Sequence, residues 1–350
     1  MSMRAVRLVE TGSPLQAQVI DVPTIGDSDI LVRVRAAGIC HSDVHYRAGI
    51  AAISPLPRTL GHEVVGVVER VGSRVDTSAP GDRVCLHYVL SCGDCHYCVS
   101  GNEQFCVRYA MMGRNVDGGY AEYIAVPARN ALHLPDEIPF EHGAVIMCSS
   151  ATALHALRKS RLRGGETVAV FGAGGLGMSA VQIARALGAL DVYAVDINPA
   201  KLRLAEKYGA IAVDASSGDP VARIREMTAG RGVDVSLELI GLPSTMQQAV
   251  RCLAPMGRTV IGGITNKPLQ LDTYREVLGP EAEIIGTNDH LLSELPLLIE
   301  LARLGSLDLS EVVTRTVPLD ADAINEVMDD LERFRVRTSA GADVRTVIVP

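Results

Sequence analysis

Four closely spaced cysteines have the clearest chemical meaning in this chain of 350 residues. Cys92, Cys95, Cys98 and Cys106 form the pattern C-x2-C-x2-C-x7-C. Eight cysteines placed at random would produce the spacing of the first three, C-x2-C-x2-C, only about 0.004 times per chain. Four thiolates on one polar loop can close a tetrahedron around zinc and leave no open ligand position. The pattern predicts a structural zinc site, with an iron–sulfur cluster and a disulfide pair as alternatives.

A glycine-rich hexapeptide is the second such feature. Residues 172–177 read Gly-Ala-Gly-Gly-Leu-Gly, which matches GxGxxG, and they follow a predicted buried strand and open a predicted helix. In that setting the first glycine allows a tight turn, the second lets the backbone approach a pyrophosphate, and the third lets helix and strand pack closely. We therefore predict that a dinucleotide is bound by Gly172, Gly174, Gly175, Leu176 and Gly177.

Asp196, at the end of the next predicted strand, indicates which dinucleotide this is. Its carboxylate would accept hydrogen bonds from the adenosine ribose and repel a 2′-phosphate, which favours NAD over NADP. Lys201 and Arg203 lie close enough in the sequence to leave NADP open. Lys201 is predicted to contact the ribose, and the alternative is that it is a solvated helix residue.

A third group of chemically capable residues is dispersed along the chain. It comprises Cys40-His41-Ser42-Asp43-Val44-His45, Gly61-His62-Glu63 and Cys148. A lone cysteine is more often packed in the core than bound to a metal, so no single piece is specific. The run GHE-x2-G-x5-G-x2-V over 61–75, the C-H-S-D-x-H string, the cysteine loop and the GAGGLG turn nevertheless occur together. With these four motifs the chain resembles the medium-chain, zinc-dependent alcohol dehydrogenases over essentially its whole length.

The resemblance implies a role for each dispersed residue. Cys40, His62 and Cys148 would bind a catalytic zinc and leave the fourth position to water or substrate, a ligand set known for open zinc sites. Ser42 would pass the alcohol proton, through the nicotinamide ribose, to His45. Asp43 would orient His62, and Glu63 would lie behind the zinc. His41 and Arg345 would contact the pyrophosphate. The alternatives are a turn cap for Asp43, a surface histidine for His45, a strand-edge charge for Arg345 and a buried core residue for Cys148.

Two kinds of element must position these residues. Up to about residue 149 the apolar runs are short, β-branched and separated by glycine, which is typical of a β-rich domain. From about 150, short buried strands alternate with helices, which predicts a doubly wound parallel sheet. The predicted strands there are 167–171, 191–195, 233–239, 258–261 and 283–285, and the predicted helix starts are Asn198-Pro199 and Asp219-Pro220. An apolar helix (291–304), an acidic helix (about 320–334) and a strand (344–349) follow.

These elements predict an α/β chain, and the resemblance implies that its first domain is split. By the resemblance, 1–149 and 287–350 form a β-rich, GroES-like catalytic domain that binds zinc. Residues 150–286 form an inserted Rossmann domain that binds NAD. Six cysteines then serve two zinc ions per chain, and Cys85 and Cys252 are predicted to be core residues.

Composition restricts the class of partner. The formal net charge is −8, and no block of five or more Lys or Arg occurs, which argues against nucleic acid or an anionic membrane surface. No stretch approaches the ~18 apolar residues of a membrane span, and the start of the chain is not typical of a signal peptide. We therefore expect a small-molecule partner and a cytoplasmic location, where thiols stay reduced.

The resemblance implies reversible hydride transfer between NAD and a primary or secondary alcohol, either aliphatic, benzylic or cyclic, with the aldehyde or ketone as the other partner. A dehydrogenase of the same superfamily that acts on a polyol, a sugar or another hydroxy compound is the alternative, although relatives acting on polyols, sugars or threonine usually have glutamate as the third zinc ligand. A zinc-free quinone or enoyl reductase and an inactive NAD-binding protein are further alternatives. His87, Tyr88, Leu56 and Leu292 align with the substrate-pocket wall of relatives. A homotetramer is expected, with a dimer as the alternative.

Overall fold

The chain forms two compact units. A computed structural model describes residues 1–333 and 344–350. Unit 1 comprises Met1–Cys148, Leu291–Arg303 and Val313–Pro350, and unit 2 comprises Ser149–His290 and Leu304–Val312.

The helices and strands are as follows. Residues 1–148 contain β1 (Ser2–Leu8), β2 (Gln16–Asp21), β3 (Asp29–Gly38), α1 (His41–Arg47), β4 (Arg58–Thr59), β5 (Glu63–Val71), β6 (Arg83–Leu86), β7 (Val89–Leu90), α2 (His96–Val99), β8 (Ala110–Met111), β9 (Tyr123–Pro127), β10 (Ala131–His133) and α3 (Phe140–Val145). Next come α4 (Ala151–Lys159), β11 (Val168–Phe171), α5 (Gly175–Ala186), β12 (Val192–Asp196), α6 (Pro199–Lys207), β13 (Ile211–Asp214), α7 (Pro220–Met227), β14 (Val233–Glu238), α8 (Pro243–Arg251), β15 (Leu253–Ile261) and β16 (Glu283–Gly286). The last are α9 (Leu295–Arg303), β17 (Val313–Pro318), α10 (Ala321–Glu332) and β18 (Arg345–Val349).

A seven-stranded sheet forms the centre of unit 1. Its order is β10-β6-β5-β3-β18-β17, and β9 also pairs with β3. β17 and β18 are parallel, whereas the other pairs are antiparallel. In the middle of β3, Val32, Val34 and Ala36 are buried and the two arginines between them are exposed, which is the pattern of a strand with one face on the core. The predicted β-rich fold is confirmed.

Unit 2 contains a six-stranded parallel sheet with the order β13-β12-β11-β14-β15-β16. The chain starts at the central strand β11, moves outward to β13, returns beside β11 at β14 and moves outward to β16. All four residues of β11 are buried, as expected for a strand covered on both faces. The predicted doubly wound fold is confirmed. β13 was not predicted because only Val213 of its four residues is buried.

Local chemistry explains where the helices of this unit begin. Asn198 Oδ1 accepts the backbone N–H groups of Ala200 and Lys201 at 2.9 and 3.4 Å, and Pro199 opens α6. Asp219 Oδ1 accepts the N–H of Val221 at 3.0 Å, and α7 opens with proline in the same way. Both predicted helix starts are confirmed.

The segment Leu304–Val312 packs with unit 2, whereas the range 287–350 was expected to lie wholly in the first domain. The Gln182 side chain donates to the carbonyl of Asp308 at 2.9 Å and accepts its N–H at 2.7 Å. Lys207 also pairs with Glu311 at 2.6 Å. These polar contacts attach the segment to α5 and α6.

The acidic helix was expected to run to about Phe334. It extends over Ala321–Glu332 as α10, and Phe334 lies outside the described residues. Every helix within 1–333 and 344–350 is too short or too polar to cross a bilayer.

Candidate functional site

The cysteines of the 92–106 loop surround a common point in unit 1. The Sγ–Sγ separations are 3.4 Å for Cys92–Cys106, 3.5 Å for Cys95–Cys98, 3.8 Å for Cys92–Cys98 and 3.9 Å for Cys95–Cys106. Sulfurs that lie 2.3 Å from one metal ion at tetrahedral angles are about 3.8 Å apart. The four thiol groups therefore fit a single tetrahedral zinc ion.

The alternatives for this loop fit less well. All the cysteines of the chain are free, which contradicts the disulfide alternative. In an iron–sulfur cluster with several irons, each cysteine sulfur binds a different iron. The Sγ atoms then lie farther apart than they do around a single metal ion. The N–H groups of Cys92 and Arg108 donate to Cys106 Sγ at 3.3 Å each, as expected for a thiolate acceptor. Backbone N–H groups of Cys98 and Val107 lower the pKa of Cys95 to about 6.

A second metal-ligand cluster is completely buried. One ligand atom from each of Cys40, His62, Glu63 and Cys148 lies within 4.8 Å of the others. The sulfurs of Cys40 and Cys148 are 4.0 Å apart. Cys40 precedes α1, His62 precedes β5, and Cys148 lies in a π-helical segment, Ile146–Ser150, after α3. Two sulfurs and one imidazole nitrogen are a donor set for catalytic zinc, so the three predicted ligands fit that ion.

The electrostatics of this cluster favour a thiolate. A hydrogen bond from the Cys148 thiol, together with His62, lowers the pKa of Cys40 well below its usual value. The same bond raises the pKa of Cys148. Burial opposes charge on His62, yet Asp43 and Cys40 together raise the pKa of its imidazole well above the usual value. Cys40 thus favours the thiolate form that binds zinc, whereas His62 must lose its proton when it binds a metal ion.

Asp43 lies behind His62, as its predicted orienting role requires. Its Oδ1 is 3.4 Å from His62 Nδ1, and its Oδ2 accepts the N–H of Cys40 at 3.0 Å. The hydroxyl of Tyr120 donates to the same Oδ2 at 2.9 Å. Burial and the charge of Asp43 raise the pKa of Tyr120 well above its usual value, so this hydroxyl keeps its proton.

Glu63 and Arg345 form a buried ion pair beside the same cluster. The pairing of β3 with β5 places Gly38 opposite Glu63, and β18 brings Arg345 to the other side of β3. A Cβ on Gly38 would lie 1.9 Å from Glu63 Oε2, so only glycine leaves room for the carboxylate. Burial raises the pKa of Glu63 to about 7, although Arg345 opposes this shift. Arg345 therefore contacts Glu63, and its predicted contact with pyrophosphate stays a prediction.

The predicted proton path lies on α1. Ser42 Oγ is 3.7 Å from Cys40 Sγ, which places the hydroxyl at the metal-ligand cluster. His45 is one helical turn further along, and its partly exposed ring lies edge-on to that of His41 with centroids 5.5 Å apart. Residues i and i+3 share one face of a helix, so Ser42 and His45 point to the same side.

The glycine turn of unit 2 has the geometry predicted for it. Gly172 has φ +99°, a conformation that favours glycine. A Cβ on Gly177 would lie 1.8 Å from the carbonyl oxygen of Gly172, whereas a Cβ on Gly174 would have no atom within 4 Å. α5 begins at Gly175, so Gly175 and Leu176 form its first turn. The open space at Gly174 and the start of a 12-residue helix fit a bound pyrophosphate.

Asp196 ends β12 beside this turn. Its Oδ2 accepts the N–H of Ala173 at 2.8 Å, and its Oδ1 accepts the N–H of Asn198 at 2.9 Å. Lys201 lies in the first turn of α6, where its N–H donates to Asn198. The acid is thus held at the carboxyl end of the parallel sheet, which is where dinucleotides bind in doubly wound folds.

Comparisons with known proteins agree with this geometry. The family model for the alcohol dehydrogenase GroES-like domain matches residues 26–136, and that for zinc-binding dehydrogenases matches 175–302. The NAD-dependent alcohol dehydrogenase of Sulfurisphaera tokodaii is 36% identical over 358 aligned positions, which cover 99% of this chain and 100% of the relative. The chain belongs to the medium-chain, zinc-dependent alcohol dehydrogenase family.

Solved structures of this family have the same fold. The alcohol dehydrogenase of Aeropyrum pernix is 35% identical with a TM-score of 0.89, and the alignment covers 99% of this chain and 100% of that one. The 2R,3R-butanediol dehydrogenase of Bacillus subtilis is 30% identical with a TM-score of 0.89, and the alignment covers 99% of both chains.

The residues that were expected to line the substrate pocket lie in different parts of unit 1. The ring of Tyr88 lies edge-on to that of His62, with centroids 5.2 Å apart, and burial lowers the pKa of His87 to about 3. Leu56 is partly buried against the core of unit 1. Leu292 lines a cavity of about 650 Å³ beside the cysteine loop, and its N–H donates to Glu103 at 2.6 Å.

Two buried residues at these sites were not predicted. Tyr120 contacts Asp43, as described above. Glu238 ends β14, in register with Phe171 of β11, and its Oε1 accepts the N–H of Gly241 at 2.9 Å. Glu238 thereby holds the loop after β14 at the sheet end that carries the glycine turn. Neither residue belongs to a spaced motif, so the sequence offers no signal for them apart from Gly118-Gly119 before Tyr120.

Proposed function

We propose that this protein is a zinc-dependent alcohol dehydrogenase that transfers hydride reversibly between an alcohol and NAD. The observation that carries the proposal is the buried set of Cys40, His62 and Cys148, with Ser42 Oγ 3.7 Å from one of the sulfurs. A zinc-free quinone or enoyl reductase needs neither this set nor the cysteine loop. An inactive NAD-binding protein needs no proton path, yet Ser42 and His45 are both present on α1.

In the proposed site Cys40, His62 and Cys148 hold the catalytic zinc, and the four cysteines of the loop hold a structural one. A zinc ion lowers the pKa of an oxygen ligand towards neutrality and polarises a carbonyl group. The Ser42 hydroxyl receives the proton that the alcohol loses, and the imidazole of His45 carries it outward along the same face of α1. The surrounding residues exclude water from the catalytic site, since Cys40, His62 and Cys148 are all buried.

NAD is the proposed cofactor, held by the turn 172–177 and by Asp196. Support comes from the open space at Gly174 and from the carboxylate at the end of β12. The negative charge of Asp196 opposes a 2′-phosphate, so we propose that NADP binds more weakly. His41, Lys201 and Arg345 are the further proposed cofactor contacts.

A simple primary or secondary alcohol is the proposed substrate. The third ligand position holds the thiol of Cys148, and Glu63 is paired with Arg345. Tyr88, next to His62, gives the site an aromatic wall. Assays of aliphatic, benzylic and cyclic alcohols beside 2,3-butanediol and sorbitol separate this proposal from a polyol dehydrogenase.

Assembly and location are part of the same proposal. β16 is the end strand of its sheet, and Ile284 on it and Leu278 before it are 39% and 67% exposed. An apolar strand edge can pair with its copy across a two-fold axis. We propose a homo-oligomer, a tetramer rather than a dimer, which light scattering would measure. A cytoplasmic location is proposed because the six ligand cysteines need reducing conditions.

The test is metal content together with activity. We expect two zinc ions per chain, oxidation of alcohols with NAD, and loss of this activity after chelation. Fewer than two zinc ions, or full activity after complete chelation, would refute the proposal.

A further inference from the structure

A buried tyrosine contacts both the metal-ligand cluster and the backbone just before His62. Tyr120 is fully buried, and its hydroxyl donates to Asp43 Oδ2 at 2.9 Å. Among the described residues, the N–H of Cys40 is the other donor to that oxygen, at 3.0 Å. The two donors hold one carboxylate oxygen and leave Oδ1 facing His62 Nδ1 at 3.4 Å.

The ring of the same tyrosine fixes the backbone before His62. Gly61 has φ +95°, and a Cβ there would lie 2.4 Å from the Tyr120 ring. The N–H of Tyr120 donates to the carbonyl of Leu60 at 3.0 Å, and the N–H of Gly119 donates to that of Gly61 at 2.9 Å. One side chain therefore contacts both the peptide that delivers His62 and the carboxylate that faces its imidazole.

We propose that Tyr120 is a positioning residue that orients His62, through Asp43, for binding the metal of the three-ligand site. The inference rests on the proposed function, because it requires a metal at Cys40, His62 and Cys148. Groups that fix the orientation of a ligating histidine change metal affinity by roughly 10- to 100-fold. Loss of the hydroxyl leaves the Cys40 N–H as the other donor to Asp43 Oδ2, so the carboxylate is held less firmly and it orients the imidazole less strictly.

Tyr120→Phe tests this with little change in shape, since the ring contact with Gly61 is kept. Tyr46→Phe is the matched control: it removes another buried hydroxyl of unit 1, which donates to Met111 Sδ at 3.3 Å. Zinc release from the purified holoenzyme to an excess of a chelating dye is followed by absorbance. The cysteine loop supplies an internal reference. Among the described residues, no hydrogen bond joins Tyr120 to this loop, and the zinc-release phase of the loop is lost in Cys106→Ser.

We expect Tyr120→Phe to release zinc from the three-ligand site roughly tenfold faster, with the cysteine-loop phase unchanged and Tyr46→Phe like the wild type. In the cobalt-substituted protein, the visible absorption bands of this site should also shift in Tyr120→Phe alone. Wild-type release rates and an unchanged cobalt spectrum in Tyr120→Phe would overturn the inference while leaving the proposed function intact. A general loosening, in which both zinc phases accelerate, would also overturn it. A wild-type protein that binds metal at the cysteine loop alone would overturn both proposals.

Discussion

Alanine substitutions at Gly174 and Gly177 separate two functions of the glycine turn. In the structure, a Cβ at Gly174 has no atom within 4 Å, and φ there is −82°, which alanine adopts freely. A Cβ at Gly177 lies 1.8 Å from the carbonyl oxygen of Gly172, which is far shorter than an ordinary contact of 3.4–4 Å. The first methyl group therefore occupies open space, whereas the second requires a shift of α5.

The expected magnitudes follow from these distances. Gly174→Ala should change the free energy of unfolding by less than about 1 kcal/mol, the scale of an N-cap substitution. It should weaken NAD binding by roughly 10- to 100-fold, because the added methyl group separates the pyrophosphate from backbone donors whose charged hydrogen bonds are worth about 1.5–3 kcal/mol. Gly177→Ala should lower the free energy of unfolding by about 1–3 kcal/mol or more, because the helix must move.

Calorimetric titration with NAD and urea unfolding measure the two effects. NADH fluorescence gives a second binding assay, and the protein contributes no tryptophan emission because the chain contains no tryptophan. If Gly174→Ala binds NAD as tightly as the wild type, the pyrophosphate does not lie at this turn and the reasoning is refuted. A Gly177→Ala variant of unchanged stability would refute the packing argument.

Four further predictions concern the metal sites, the cofactor and the buried ion pair. Cys148→Ala should abolish turnover and keep NAD binding nearly intact; a loss of folding instead would make Cys148 a core residue. Cys106→Ser should reduce the metal content by one zinc ion per chain and expose the 92–106 loop to limited proteolysis, because a structural zinc contributes on the order of 10 kcal/mol to ordering its ligands; an intact metal content would contradict the site. Asp196→Asn should shift the ratio of kcat/KM values for NAD and NADP towards NADP by roughly tenfold, since one unit of negative charge is removed; an unchanged ratio would show that Asp196 does not select the cofactor. Arg345→Met should lower the free energy of unfolding by about 3–5 kcal/mol because Glu63 stays buried without its partner. The control Arg303→Met removes an exposed pair with Glu300 and should leave the free energy of unfolding nearly unchanged; equal effects of the two substitutions would contradict the argument.

Local sequence determined those features that depend on residues close together in the chain. The cysteines of the 92–106 loop lie within 15 positions, so their spacing alone predicts one tetrahedral site. The glycine turn, the helix caps at Asn198 and Asp219, and the buried strand β11 depend on neighbouring residues in the same way. Hydrogen bonds and steric contacts over a few residues decide these conformations, which is why the sequence predicted them.

Tertiary structure alone decided which distant residues meet. Cys40 and Cys148 are 108 positions apart, and Glu63 and Arg345 are 282 apart, so resemblance to a family suggested their roles but no local pattern predicted their contacts. Arg345 pairs with Glu63 because β18 lies next to β3 in the sheet, and strand order is a property of the whole unit. Tyr120 and Asp43 are 77 positions apart. Because these polar groups are buried, water cannot bind them, and they depend on the partners that the fold brings to them. Those partners decide the orientation and the charge of each group.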